Sequence, residues 1–496
     1  MLQLDRDDGT YLYRQVIDLI NENIETGALA PGDKLPSLRK MSARVGVSVP
    51  TVRQAYIELE RQRRVESRPQ SGFYVRHRTA NDIVRAAANG KPVSLCCRPL
   101  MERVYDGINH PKLVPLGIAN PCMAKPAAKA LHRAMKRVMA RAEERSLSYA
   151  STLGEPTLRR QIAYHYLDTT GVHVDPATIC ITNGGQEALL LALRAVASPG
   201  DVIAVETPTY HGVLELIDGL GMLAVEVETC PEEGVTIEAL DRTLTENSIT
   251  ACVFSTTLGN PLGVTMPDED RVRLLEVLKK HDVTLIEDDV YGDLRFDGRR
   301  PTPAQFVNSG VRVLTCGSFS KTAAPGYRIG WIAAGSLIDR IAQLKRAFSC
   351  SSGLLQQLTL ADFLASGDYS RYLHVLRQEL KRNAERMQAL VAESFPCETR
   401  TSRPVGGSVL WIELPGNVDA ERLFDDAIHA GISIAPGHIF SPSSRYGNFV
   451  RLSFGHPWGP RTEDAIRWLG REATARSKSS AGNGLPSRKP CPSSQP

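Results

Sequence analysis

The segment GSFSKTAAPGYRIGW sets Lys321 behind two serines, Ser318 and Ser320, and seven residues ahead of Arg328. That spacing offers one nucleophilic amine beside hydroxyl and guanidinium donors suited to a phosphate. A lone lysine is usually a solvated surface group, but this one lies between an apolar, strand-like run and a Gly/Pro-rich loop. IEDDVYGDLRF ends another apolar run, which puts Asp288 and Tyr291 at the carboxyl edge where open α/β sheets bind ligands. A carboxylate there can face a cationic ring nitrogen through a charge-assisted hydrogen bond, although strand-end acids more often cap helices. ITNGGQEAL reads as strand, glycine turn and helix N-terminus, an arrangement that cradles phosphate with backbone amides. A bare Gly-Gly turn is also compatible with a purely structural role.

The elements that must position these residues follow from hydrophobic patterning. From about residue 113 to 475, apolar runs such as DVIAVE, ITACVFS, VTLIEDD and RVLTCGS alternate with helical stretches such as QEALLLALRAVAS and EDRVRLLEVLKKH. This predicts an α/β domain with a mostly parallel sheet and crossover helices. Residues 79–112 have no sustained period and read as a linker with room for one short helix, and the Ser/Pro/Gly-rich residues 476–496 read as a disordered tail.

Residues 1–78 predict three short helices and a hairpin. Leu12, Val16, Leu19, Ile20 and Ile24 recur at helical spacing before Gly27. A second helix from about Pro36 to Val45 buries Leu38, Met41 and Val45, and Gly46 lets the chain turn. Ser48 can cap a third helix that tolerates Pro50 in its first turn and buries Val52, Ala55, Tyr56 and Leu59. VESRPQSGFYV then alternates around Pro69 and Gly72 as a two-stranded wing does. The net charge of +4 is only mildly basic, but Lys34 to Arg78 holds eleven Lys/Arg against three Glu, the local excess that a DNA-binding surface needs. A solvated basic face would give the same count. The ten cysteines contain no CxxC pair, so neither a disulfide framework nor a zinc site is indicated, and a reducing cytoplasm fits best. No apolar run approaches the roughly 18 residues that span a bilayer.

Pyridoxal phosphate needs a lysine to hold it, an acid to keep its ring nitrogen protonated, phosphate donors and a surface for the ring, and each has a candidate above. In this order the segments resemble the fold-type I aminotransferases over roughly residues 113–460. The resemblance implies that Lys321 carries the cofactor covalently, that Asp288 pairs with the ring nitrogen, and that Asn260 (in GNPLG) and Tyr291 hydrogen-bond the ring hydroxyl. It further implies that Tyr210 (in ETPTYHG) stacks on the ring while Gly185, Gln186, Ser318, Ser320 and Arg328 hold the phosphate. Tyr149 (in LSYASTLGEPTLR) matches a tyrosine that reaches the phosphate of the neighbouring subunit, and Arg451 (in VRLSFG) matches the arginine that clamps a substrate carboxylate. Gly185 departs from the family, which often has a serine there.

The PGDKLPS turn, the GVS helix start, the TVRQAY stretch and the SGFYV wing resemble the winged-helix domain of GntR-type regulators. By that resemblance Arg39, Ser48, Thr51, Arg53 and Gly72 contact double-stranded DNA. The two halves together resemble the MocR group, which implies a homodimeric regulator sensing pyridoxal phosphate or an amino compound bound through it. A working aminotransferase with a DNA-binding appendage remains the alternative, since Lys321, Asp288 and Arg451 are all present. A purely architectural DNA-binding protein would not require Lys321.

Overall fold

The computed structural model describes residues 12–25, 29, 33–61, 64–68, 72–75, 83, 90–93, 98–119, 125–307, 309–443 and 445–482. The chain divides between Asp82 and Ile83 into two compact units.

The first unit contains helices Leu12–Glu25, Leu38–Val45 and Val49–Arg61 and a hairpin of Val65–Arg68 with Gly72–Val75. Apolar residues from every helix converge on one core in which Val16, Val52, Ala55, Tyr56 and Leu59 are fully buried. Full burial of one such aliphatic side chain stabilises by about 1.5–3 kcal/mol, so this stripe accounts for much of what holds so small a unit together. Tyr56 is secured at both ends, by its hydroxyl donating to Pro36 O at 2.9 Å and by its ring lying edge-on to Phe73 at 5.1 Å. The second helix starts later than its sequence predicts. Ser37 caps it, accepting from the amide of Lys40 at 3.3 Å, so Pro36 stays outside. Gly46, at φ 70°, supplies the expected turn. Gly27 and Pro69 lie outside the described residues.

In the second unit the main sheet has eight strands. Their spatial order is Ile179–Thr182, Gly330–Ala333, Val313–Ser318, Thr284–Asp288, Ile249–Phe254, Val202–Thr207, Leu223–Cys230 and Gly234–Val235. The five strands from Val313–Ser318 to Leu223–Cys230 are parallel neighbours, while Gly330–Ala333 is antiparallel to both of its partners. The parallel strands are buried on both faces, as with Thr284–Asp288, buried at every position although Thr284, Glu287 and Asp288 are polar. A smaller antiparallel sheet of Arg400–Thr401, Val409–Glu413, Phe449–Ser453 and Ala435–Pro436 forms the C-terminal lobe.

Two stretches differ from the sequence-based expectation. Within the expected linker, residues 79–112, the helix Arg98–Asn109 buries Leu100, Met101 and Val104 in the core of the second unit. Within the expected tail, residues 476–496, the helix that begins at Pro460 continues to Gly482, and Asn417 Nδ2 donates to the Ser477 carbonyl at 2.8 Å. Residues 483–496 lie outside the described ones.

Candidate functional site

One cavity of the second unit is lined by Gly185, Gln186, Tyr210, Asn260, Asp288, Tyr291, Ser318, Ser320, Lys321 and Arg328, the residues that the sequence singles out. Leu189, Ser255 and Val290 complete the lining. Topology brings them together. Asp288 and Ser318 end adjacent parallel strands, and Gly185 opens a helix just after the strand Ile179–Thr182.

The phosphate end is built from short polar contacts. Ser318 Oγ donates to Ser320 Oγ at 3.0 Å and accepts from the Ser320 amide at 3.0 Å. Arg328 donates to Ser320 Oγ and to the Asn183 carbonyl, each at 3.3 Å. Gln186 Nε2 donates to the Gly212 carbonyl at 2.9 Å, which leaves its side-chain carbonyl for other partners. Gly184, at φ 83°, turns the chain into the helix Gly185–Val196, whose first amides have no intrahelical acceptor. A Cβ at Gly185 would come within 3.1 Å of Val290 Cγ1 and 3.4 Å of Ser318 Cβ, so the bare helix start matches the space left for an anion.

The other end is buried. Lys321 Nζ lies 5.8 Å from the centre of the Tyr291 ring. Burial lowers its pKa to about 8, helped by the Arg451 charge and opposed by Asp288. Burial raises Asp288 to about 6, against the pull of the Val290 amide, which donates to its Oδ1 at 3.3 Å, and of Lys321. A carboxylate buried this way favours a cation facing it. Tyr291 donates to the Ala119 carbonyl at 3.3 Å.

Arg451 is not in the lining but adjoins it. It is 1% exposed, donates to Asn260 Oδ1 at 3.3 Å and to the Gly117 carbonyl, and its Nε has no hydrogen-bond partner. No carboxylate pairs with it among the described residues; burial lowers it to about 10, and the nearby groups that favour its charge are the phenols of Tyr291, Tyr210 and Tyr105. Tyr149 is apart from the cavity on this chain, 89% exposed and near Leu147, which is 87% exposed.

Of the five residues expected at DNA, Arg39, Ser48, Arg53 and Gly72 are exposed and Thr51 is half-buried. Ser48 and Thr51 are tied to each other. Ser48 Oγ accepts from the Thr51 amide at 3.3 Å, and the two hydroxyls are 2.7 Å apart, so Ser48 caps the third helix. Gly72 opens the second wing strand opposite Arg68.

Ser255, Leu189 and Val290 escaped the sequence reading. Ser255 directly follows an apolar strand, as Asp288 ends one, and that shared position is the signal that points to it.

The family model for aminotransferase class I and II matches residues 111–458, and that for the gntR family of bacterial regulatory proteins matches residues 12–75. The uncharacterized HTH-type transcriptional regulator YjiR of Escherichia coli strain K12 is 36% identical over 460 residues, covering 92% of this chain and 98% of its own. A probable rhizopine catabolism regulatory protein, MocR of Rhizobium meliloti, is 31% identical over 412 residues, covering 79% of each chain. Among solved structures, the α-aminoadipate aminotransferase LysN of Thermus thermophilus, complexed with N-(5'-phosphopyridoxyl)-L-leucine, is 25% identical with a TM-score of 0.69 and covers 78% of this chain and all of its own (100%). The chain therefore belongs to the MocR-type regulators of the gntR family, HTH-type transcriptional regulators in which a winged helix precedes an aminotransferase class I and II domain.

Proposed function

We propose that the aminotransferase-like unit holds pyridoxal phosphate and senses an amino compound bound through it, and that the winged helix binds a double-stranded DNA operator. The observation that carries this reading is the convergence on one cavity of a half-buried lysine, a buried acid and a set of donors suited to a phosphate, with a buried arginine beside it that has no carboxylate partner among the described residues. When bound, the cofactor supplies an aldehyde that takes a primary amine and a cationic ring that withdraws electrons from it.

The chain's own residues do the rest. Lys321, with its amine biased toward the neutral form, is the nucleophile. Asp288 holds a proton on the ring nitrogen, and that cation in turn stabilises its carboxylate. Asn260 and Tyr291 face the ring hydroxyl, Tyr210 supports the ring, and Gly185, Gln186, Ser318, Ser320 and Arg328 hold the phosphate. Arg451 takes the carboxylate of the effector, replacing solvation that burial has removed. The exposed Leu147 and Tyr149 fit burial in a homodimer, in which Tyr149 of the partner subunit reaches the phosphate. Arg39, Ser48, Thr51, Arg53 and Gly72 form the DNA face, Arg53 from the third helix.

A visible spectrum of purified protein given excess pyridoxal phosphate tests the reading. The parent shows the absorption band of a lysine-bound cofactor, and Lys321→Ala abolishes it while the protein stays folded. A parent without the band rejects the sensing reading. Light scattering at micromolar concentration should give a dimer, and a cofactor-bearing monomer would contradict the role of Tyr149. Turnover of amino and keto acids at ordinary enzymatic rates, with operator affinity indifferent to any ligand, would favour the aminotransferase alternative.

A further inference from the structure

A second cavity, of about 310 Å³, lies against the first and is lined by Met101, Glu102, Tyr105, His211, Leu214, Glu215, Asp218, Gly219, Ile439 and Ser441. We infer that it receives the distal cationic group of a dibasic amino acid whose carboxylate rests at Arg451, and that the helix Arg98–Asn109 registers its arrival. The inference rests on the reading that the first cavity holds an amino compound, and it names the class of that compound.

The two cavities share a wall. Tyr210 lines the first and His211 the second, with their rings 4.7 Å apart. Ring contacts also lead from the arginine to the second cavity, since Arg451 Cζ lies 5.1 Å from the centre of Phe440 and Phe440 lies 5.8 Å from His211. On the far side Tyr105 stands 5.8 Å from His211, near enough to Arg451 for each to feel the other's charge. In the inferred arrangement a ligand anchored at Arg451 extends past Phe440 and His211 into the second cavity.

The chemistry of the second cavity selects a cation. Glu102, Glu215 and Asp218 all line it, and among the described lining residues there is no lysine or arginine. The negative charge of these carboxylates favours a cation placed among them. His211 gives an independent indication. It is 6% exposed, and its Nδ1 is buried without a hydrogen-bond partner, lying 3.8 Å from Glu215 Oε2, too far for a hydrogen bond. A buried ring nitrogen left without a bond costs free energy that a donor on a ligand would recover. Burial keeps the His211 ring below its ordinary pKa, hence neutral and no obstacle to a cation, and in the tautomer protonated at Nε2 its Nδ1 is an acceptor. Met101, Leu214 and Ile439 supply an apolar flank for the methylene stem.

The cavity is also placed to signal. Glu102 and Tyr105 come from the helix Arg98–Asn109, the first helix of the second unit, and Tyr105 donates to Glu215 at 2.7 Å. A cation bound there would add to the Tyr105–Glu215 bond that already joins that helix to the helix His211–Gly219, which starts beside Tyr210. Effector occupancy is thus converted into the position of the helix nearest in sequence to the winged unit.

Calorimetry on the full-length, cofactor-loaded protein tests this with L-lysine, L-norleucine and cadaverine, which separate the distal charge from the carboxylate. L-lysine should bind at least about tenfold more tightly than L-norleucine and more tightly than cadaverine, and the lysine-to-norleucine ratio should fall to within about threefold in Glu215→Gln and in the double change with Glu102→Gln. Glu102 is exposed, so Glu102→Gln alone keeps the test open should Glu215→Gln fail to fold. Equal binding of L-lysine and L-norleucine by the parent, or a preference that survives the variants, overturns the inference. Cadaverine binding as tightly as L-lysine overturns it as well, by removing Arg451. The same titration without cofactor still reads the preference. A missing visible band with the preference intact therefore rejects the cofactor reading alone, and a band without preference rejects this one alone.

Discussion

The two units present their functional groups in opposite states. Arg39, Ser48, Arg53 and Gly72 of the winged helix are exposed, whereas Asp288 and Arg451 of the aminotransferase-like unit are buried and Lys321 is half-buried, with Lys321 and Arg451 lowered and Asp288 raised in pKa. The difference follows from the size of the partner. A duplex brings a dense row of phosphates, and releasing its counterions supplies affinity to solvated arginines that need no special environment. A small molecule has few atoms with which to displace water, so the protein must remove that water beforehand and hold the charges in place.

The comparison sharpens most at Asp288 and Lys321, where burial should make the stability of protein prepared without cofactor depend on pH. Asp288 binds its proton near pH 6 when folded rather than near its ordinary 3.8, so the folded state holds more protons in that window and stability falls as pH rises through it. Lys321 releases its proton near 8 rather than 10.5, so the unfolded state holds more protons there and stability rises with pH. Each shift corresponds to about 3 kcal/mol. Asp288→Asn should therefore gain about 2 kcal/mol on the parent between pH 4 and 6, a difference that sets aside other buried acids such as Glu206, which burial raises to about 8. All four tryptophans lie beyond residue 330, so urea melts followed by their fluorescence report on this unit. Parallel pH profiles for parent and variant would break the contrast.

A smaller effect belongs to the exposed side. Arg53→Ala should weaken operator binding by about 1–3 kcal/mol if the guanidinium reads a base, and by less, with a reduced salt slope and no change in sequence preference, if it meets a phosphate. Unchanged affinity at matched salt would remove Arg53 from the interface.

The smallest change is expected at Ser48. Loss of the cap in Ser48→Ala should cost about 1 kcal/mol, read as a drop of roughly fivefold in hydrogen-exchange protection across Val49–Arg61, while the tryptophan-detected melt of the other unit stays the same. Protection equal to that of the parent would mean that Ser48 serves DNA and not the helix.

Legibility in the sequence tracked how local each signal is. Lys321, Asp288 and the Gly184–Gly185 turn are marked by their position at strand ends, so neighbouring residues announce them. A short helix was expected within residues 79–112, but the burial of Arg98–Asn109 was not legible, because Leu100, Met101 and Val104 stand among charged residues in one short stretch and their burial depends on a core assembled from distant segments. The extension to Gly482 escaped for a similar reason, since the Ser477 carbonyl is held by Asn417, sixty positions earlier. The acidic cavity has no sequence signature at all, because Glu102 and Glu215 belong to separate helices that only the fold brings side by side.

The crowding at Gly185 ties two positions together over generations of change. With Val290 Cγ1 only 3.1 Å from where a side chain would begin, a serine at 185 requires Val290 to give by a few tenths of an ångström, so the effect of a side chain at 185 depends on which residue stands at 290.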